Sequence, residues 1–271
     1  MVTVFSKEPT IEEEAAFGPV LLRHAGGVAT VIVDSPPVNA MGMAVLAGLE
    51  AAAAHICTDA GIRAVILTGT GTKAFMAGAD ISEFEQLRSR ENGMAEHSAW
   101  AGSVLAAWAH LPQPVIAAIQ ASAVGGGLEI ALTADLIIAE PSAKFGLPEV
   151  KLGLIPGGGG TQRLPRRIGT SLAKELMFLG SVIDSEQAHR IGLVNHVSAP
   201  GAVVEHAQEF ARKIASMPRR AVQALKAATT DTLDAEVDRE RSLFLSIMDS
   251  PDFSEGFSAF LERRAPRFTH E

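Results

Sequence analysis

Between residues 115 and 138 every position is apolar or small except Gln120, Ser122, Glu129, Thr133 and Asp135. A stretch of this kind has to be buried, and three consecutive glycines, Gly125 to Gly127, divide it. The part before them reads as a buried strand over residues 115–119. The glycines open a helix that carries Glu129, and residues 136–139 return as a strand. A carboxylate inside such a stretch needs a partner or a task, because burying it alone is costly. The glycines and Glu129 also make the stretch unfit to cross a bilayer.

The same alternation extends on both sides. Residues 20–23 and 29–33 are short β-type runs joined by a His24-Ala25-Gly26-Gly27 turn. Ser35-Pro36-Pro37 breaks the second run. Residues 41–55 are rich in Ala and Leu and read as a helix. Residues 64–68 form a buried strand ended by Gly69-Thr70-Gly71. Asp80-Ile81-Ser82-Glu83 has the spacing of a capping box and starts another helix. Residues 94–110 are helical up to the break at Pro112 and Pro114. From Ser171 onward the pattern is almost wholly helical, with caps at Asp184 and Ser250. Strands alternating with helices predict an α/β fold. The expected division is an α/β core over residues 1–200 and a helical C-terminal region over 201–271.

The 271 residues carry a formal charge of −8, which argues against nucleic acid as the main partner, since phosphate binding needs a basic face. One cysteine, Cys57, allows no intramolecular disulfide and fits a reducing compartment. It is expected to be a buried small hydrophobe near a helix end. The acidic, polar N-terminal segment is not that of a secretory or transit peptide. These features predict a cytoplasmic protein.

Three segments carry the chemistry. In Ala77-Gly78-Ala79-Asp80-Ile81 a turn of small residues precedes a helix start, where free N–H groups can meet an anion or a polarised carbonyl oxygen. Asp80 itself is expected to be an N-cap. Gly125-Gly126-Gly127 before Leu128-Glu129 lacks the Lys-Ser/Thr ending of a phosphate loop and the spacing of a dinucleotide fingerprint. The third segment is Phe145-Gly146-Leu147-Pro148-Glu149, followed by Pro156 and Gly157 to Gly160. Two glutamates can take and give a proton when their environments separate their pKa values. None of the eight histidines falls in these segments, and no His/Cys cluster has metal-ligand spacing, so neither a histidine base nor a metal is expected. Trp100 and Trp108 are expected in the core or an interface.

Taken in order, these segments resemble the enoyl-CoA hydratase/isomerase, or crotonase, superfamily over nearly the whole chain, ending at residues 252–264. The resemblance implies a spiral of ββα units with a helical C-terminal region that builds trimers or dimers of trimers. It implies an acyl-CoA thioester as substrate, with coenzyme A part of the substrate and no further cofactor. The thioester oxygen would lie between the N–H groups of Ala79 and Gly126. Glu129 would activate water, Glu149 would exchange the proton at the α-carbon, and Gly157 would help to hold the water. Residues Ala77, Ala79, Asp80, Ile81, Ser82, Gly125 and Gly126 would contact substrate or CoA, and the region 84–110 would wall the acyl pocket. Retention of both glutamates favours hydration of 2-enoyl-CoA in fatty-acid or related acyl-CoA degradation. The alternatives are an enoyl-CoA delta-isomerase and a non-catalytic CoA- or RNA-binding paralogue.

Overall fold

The computed structural model describes residues 13–230 and 233–269. Seven strands make the larger sheet: β1 (Glu13–Phe17), β2 (Val20–Ala25), β3 (Val28–Val33), β4 (Ala64–Gly69), β6 (Val115–Ile119), β8 (Leu136–Ala139) and β11 (His196–Val197), in the order β1-β2-β3-β4-β6-β8-β11. The first three are antiparallel neighbours, and from β3 onward every pairing is parallel. The hairpin between β2 and β3 turns on Gly26 and Gly27, both at positive φ.

The apolar runs of β4 and β6 have no polar alternation because both faces of this sheet are covered. Val65 and Leu67, with Val115, Ala117 and Ile119, face the main core with α1 (Met43–Thr58) and α3 (Gly93–Ala109). Ile66, Ile116, Ala118 and Ile138 face α8 (Val203–Ala215). That helix lays Ala207, Ala211 and Ala215 on the sheet at a spacing of four, so it approaches closely. Trp108 is fully buried and donates its ring N–H to Leu49 O at 3.0 Å, whereas Trp100 reaches Glu50 at 3.1 Å.

The smaller sheet has four short strands in the order β10-β9-β7-β5: β5 (Ala74–Met76), β7 (Ser122–Val124), β9 (Lys144–Gly146) and β10 (Val182–Asp184). Strands β5, β7 and β9 are parallel and adjacent, so their C-terminal ends lie along one edge. From that edge depart the three segments singled out in the sequence: residues 77–79, Gly125-Gly126 and Leu147-Pro148-Glu149.

Three local expectations need correction. The region after residue 171 contains α6 (Thr170–Leu179), α7 (Ser185–Arg190), α9 (Arg219–Thr229), α10 (Asp234–Ile247) and α11 (Pro251–Leu261) with α8, but β10 and β11 interrupt it. Strands of three and two residues are too short to show a period. Asp80 does cap, accepting from the Ser82 N–H at 3.0 Å, but the turn it caps is a 3₁₀ turn before α2 (Phe84–Arg88). Glu83 does not complete a capping box; its carboxylate accepts from the Met43 N–H at 3.0 Å, at the start of α1. Cys57 is exposed, because it follows Ile56, the last core-facing residue of α1, and is turned by one residue onto the solvent side. The caps at Asp184 and Ser250 hold, at 2.9 and 3.1 Å.

Candidate active site

The edge where β5, β7 and β9 end opens into a cavity of about 370 Å³. Two turns there need glycine. Gly78 sits at φ +97° and Gly125 at φ +59°, conformations that side-chain-bearing residues rarely adopt. These turns bring the backbone nitrogens of Ala79 and Gly126 together on the cavity wall. A Cβ placed on Gly126 would lie 3.4 Å from Ala79 N, and one placed on Gly78 would lie 3.4 Å from Gly126 N. Gly126 opens α4 (Gly126–Ala131), so its N–H has no partner within the helix. Among the described residues no acceptor takes either N–H. Asn39 steadies this corner from below: its side-chain amide donates to the carbonyls of Thr70, Ala74 and Phe75.

Glu129 lies on α4 and is buried. Its Oε1 accepts from the N–H groups of Gly158 at 2.7 Å and Gly160 at 2.8 Å. A side chain on Gly158 would meet Leu105, and one on Gly160 would meet Pro156, each at 2.8 Å, and both would meet the carboxylate itself at 2.9 Å. Burial, followed by the charge of Glu240, pushes the Glu129 pKa up to about 7, against the pull of the two N–H groups and Arg163. Glu149 opens a 3₁₀ turn after β9. Its Oε2 is sealed from solvent and has no hydrogen-bond partner, and its other oxygen would lie 3.3 Å from a Cβ on Gly125. Burial and then the charge of Glu129 raise its pKa well above the ordinary carboxylate range. Ionisation of Glu129 therefore opposes ionisation of Glu149. Glu129 is held by two N–H groups of the glycine loop, which favour its ionised form, whereas Glu149 has only its own N–H acting that way. Glu129 is therefore suited to accept a proton, and Glu149 to carry one, beside two N–H groups able to hold an oxyanion.

Of the residues singled out in the sequence, Ala77, Ala79, Ile81, Gly125, Gly126, Glu129, Glu149 and Gly157 all line the cavity. Asp80 and Ser82 do not: the Asp80 carboxylate is taken up by the Ser82 N–H and hydroxyl. The N–H groups that grip Glu129 belong to Gly158 and Gly160, while Gly157 packs beside the Phe244 ring. One face of α3 supplies Met94, His97, Ser98, Ala101 and Leu105, so the region 84–110 does wall the cavity. His97 thus lies in the cavity although no motif pointed to it; burial lowers its pKa, against the charge of Glu83, and favours the neutral ring. The boundary at residue 200 does not bound the site, because Phe244, Phe253, Phe257 and Phe260 line it from the C-terminal helices. Arg264 is engaged by Glu255 and Glu262 at 2.5 to 2.9 Å.

Sequence reasoning missed Glu240. It lies on α10, is 2% exposed, and accepts from the N–H of Gly159 at 2.5 Å and of Thr161 at 2.7 Å, as well as from the Thr161 hydroxyl. A signal was present: Leu233, Val237, Glu240 and Phe244 recur at helical spacing, which puts a glutamate in an apolar stripe.

Two other features lie away from this chemistry. A larger cleft of about 590 Å³ between α3, α10 and α5 (Gly160–Ile168) contains neither Glu129 nor Glu149. Its arginines are occupied by protein acceptors, Arg167 by Leu193 O, Ala134 O and Asn195, and Arg241 by Asp238. Glu13, His24 and Asp59 gather potential metal-ligating atoms within 4.8 Å of one another at the β1–β2 edge.

A family model described as enoyl-CoA hydratase/isomerase matches residues 23–271. The chain is 36% identical to a crotonyl-CoA hydratase of Syntrophomonas wolfei, covering 93% of this chain and 98% of that protein. It is 38% identical to a short-chain-enoyl-CoA hydratase of Clostridium acetobutylicum, covering 90% and 95%. The crystal structure of carnitinyl-CoA hydratase from Mycobacterium avium superposes with a TM-score of 0.84 at 35% identity, covering 94% of this chain and 99% of that one.

Proposed function

The chain belongs to the enoyl-CoA hydratase/isomerase family, and from that premise we propose that it adds water across the double bond of 2-enoyl-CoA thioesters to give 3-hydroxyacyl-CoA. The observation that carries this reading is the asymmetry of the two carboxylates beside a pair of free N–H groups. The thioester oxygen sits between Ala79 N–H and Gly126 N–H. Glu129 takes a proton from water as its oxygen bonds to the β-carbon. Negative charge moves onto the thioester oxygen, where the two N–H groups stabilise it, each by about 3–4 kcal/mol. Glu149 then gives its proton to the α-carbon. The net change is the addition of one water, and the dyad resets by returning a proton from Glu129 to Glu149 through solvent. Coenzyme A enters as part of the substrate, passing near Ala77 and Ile81.

The finer assignment is also proposed. The cavity wall of Met94, Ala101, Leu105, Phe84 and the four C-terminal phenylalanines suits a short to medium alkyl chain, as in fatty-acid degradation. A trimer or a dimer of trimers is supported by exposed Leu225, Leu243, Phe260 and Leu261, each more than half exposed. A monomer mass by light scattering at micromolar concentration would reject it. No helix among the described residues is long and apolar enough to cross a membrane. The lone, exposed Cys57 suits the reducing cytoplasm. The test of function is turnover of a short-to-long series of 2-enoyl-CoA thioesters, with 3-enoyl-CoA in parallel. Hydration of the 2-enoyl series supports the reading; double-bond migration without hydration replaces it with isomerisation.

A further inference from the structure

We infer that Glu240 is a positioning residue for hydration: by holding the loop that holds Glu129, it makes the C-terminal helix α10 part of the catalytic unit. This inference rests on the hydration reading above.

Residues 157–161 have little side-chain mass to anchor them, since four of the five are glycine. Yet Gly158 and Gly160 must present their N–H groups to the same oxygen of Glu129, at 2.7 and 2.8 Å. Glu240 takes the alternate N–H groups, those of Gly159 and Thr161, and the Thr161 hydroxyl. The loop is therefore gripped on opposite sides by two buried carboxylates, one from α4 and one from α10. Phe244, one turn further along α10, covers Gly157 from the same helix. Hydrogen bonds to a buried carboxylate are among the stronger ones, so losing them frees the loop and misplaces Glu129.

The second effect of Glu240 is electrostatic. The charged groups acting on Glu129 are Glu240 from α10 and Arg163 from α5, and the charge of Glu129 in turn opposes ionisation of Glu149. Glu240 opposes ionisation of Glu129, whereas Arg163, which donates to Gly158 O at 2.8 Å, favours it. Glu129 must be ionised to take the proton from water. Removing the negative neighbour therefore lets it ionise at lower pH, and removing the cation delays ionisation to higher pH.

The test is the pH profile of kcat/KM for hydration of crotonyl-CoA by the wild type, Glu240→Gln, Glu240→Asp and Arg163→Met, with circular dichroism as the control for folding. For Glu240→Gln we expect kcat to fall about 10- to 100-fold with KM within about threefold, and the acid limb to move to lower pH. Glu240→Asp keeps the charge, so its acid limb stays in place while kcat recovers in part. Arg163→Met moves the limb the other way. A folded Glu240→Gln with wild-type kcat overturns the inference, and so does a loss of kcat with an unmoved acid limb, which is what a plain structural strut would give. If Glu240→Gln does not fold, a folded Glu240→Asp with full wild-type kcat overturns it, because the shortened side chain cannot keep all three bonds. A wild-type protein that hydrates no 2-enoyl thioester rejects the hydration reading instead.

Discussion

The two walls of the cavity are built by different means. On the strand-end wall the working groups are backbone N–H groups and a glutamate one turn from a strand, fixed by the register of β5, β7 and β9. Behind them Phe75, Met76 and Phe145 are fully buried in the main core. On the C-terminal wall the working parts are side chains. Phe244, Phe253 and Phe257 belong to a smaller apolar cluster with Phe84, Leu154 and Met248, and Glu240 joins this wall to the loop around Glu129. On the proposed reading, charge that develops during reaction is met where the geometry is stiffest, because preorganised dipoles need not reorient. The acyl chain would then meet adaptable side chains. The strand-end wall should therefore fail in catalysis when altered, and the phenylalanines of the C-terminal wall in stability; Glu240, which grips the loop around Glu129, fails in kcat instead.

The largest break is expected at Gly126→Pro, which removes one of the two N–H groups. Turnover should fall by about 10³-fold or more in a protein whose circular dichroism is unchanged. Full activity in that folded variant would take Gly126 out of the oxyanion site. Next come Glu149→Gln and Glu129→Gln, each expected to lower kcat by at least about 10²-fold with the fold intact. Steady-state rates on crotonyl-CoA decide this, and near-wild-type hydration by either variant removes its assigned role.

On the other wall, Phe253 is 1% exposed and Phe253→Ala should cost about 3–5 kcal/mol of stability. Urea denaturation should show a lower midpoint. A change below about 1 kcal/mol would mean that this wall is not packed as described. The smallest effect is one of pH on stability. The folded-state pKa of Glu129 is raised to about 7 from an ordinary value of 4.5, so the native state holds this proton more tightly than the unfolded chain. Its contribution is fully present below about 4.5 and is lost as pH rises through about 7. Glu129→Gln cannot lose that proton. Its melting temperature relative to wild type should therefore climb between these pH values, and a flat difference would contradict the pKa.

The contrast between the walls also explains what could be read from sequence. Backbone-built features leave glycine behind, because positive φ at Gly78 and Gly125 and close approach at Gly126 exclude other residues. Glu129 was legible because its apolar surroundings left a carboxylate to be explained. Glu240 was harder to read: its place in an apolar stripe is a signal, but it bonds a loop 81 residues away and sits in a helix with Glu236, Asp238, Arg239 and Arg241, among which one more acid looks ordinary. The short strands β10 and β11 owe their existence to partners already in place. Asp80 and Ser82 look like contact residues by position, and only the hydrogen bond between them shows that their polar atoms serve each other.

The central claim is that one buried glutamate supplies the oxygen chemistry and the other the carbon proton. It is tested most directly by mass spectrometry of the product made from crotonyl-CoA in heavy-isotope water. In ¹⁸O-water the wild type should place one ¹⁸O at the β-carbon, and in deuterium oxide one deuterium at the α-carbon. With product 3-hydroxybutyryl-CoA, Glu149→Gln should lose exchange at the α-carbon, while Glu129→Gln keeps more α-exchange than hydration. Equal loss of both labels in both variants, or deuterium entering the γ-carbon with no ¹⁸O in the product, would contradict the division of labour between Glu129 and Glu149.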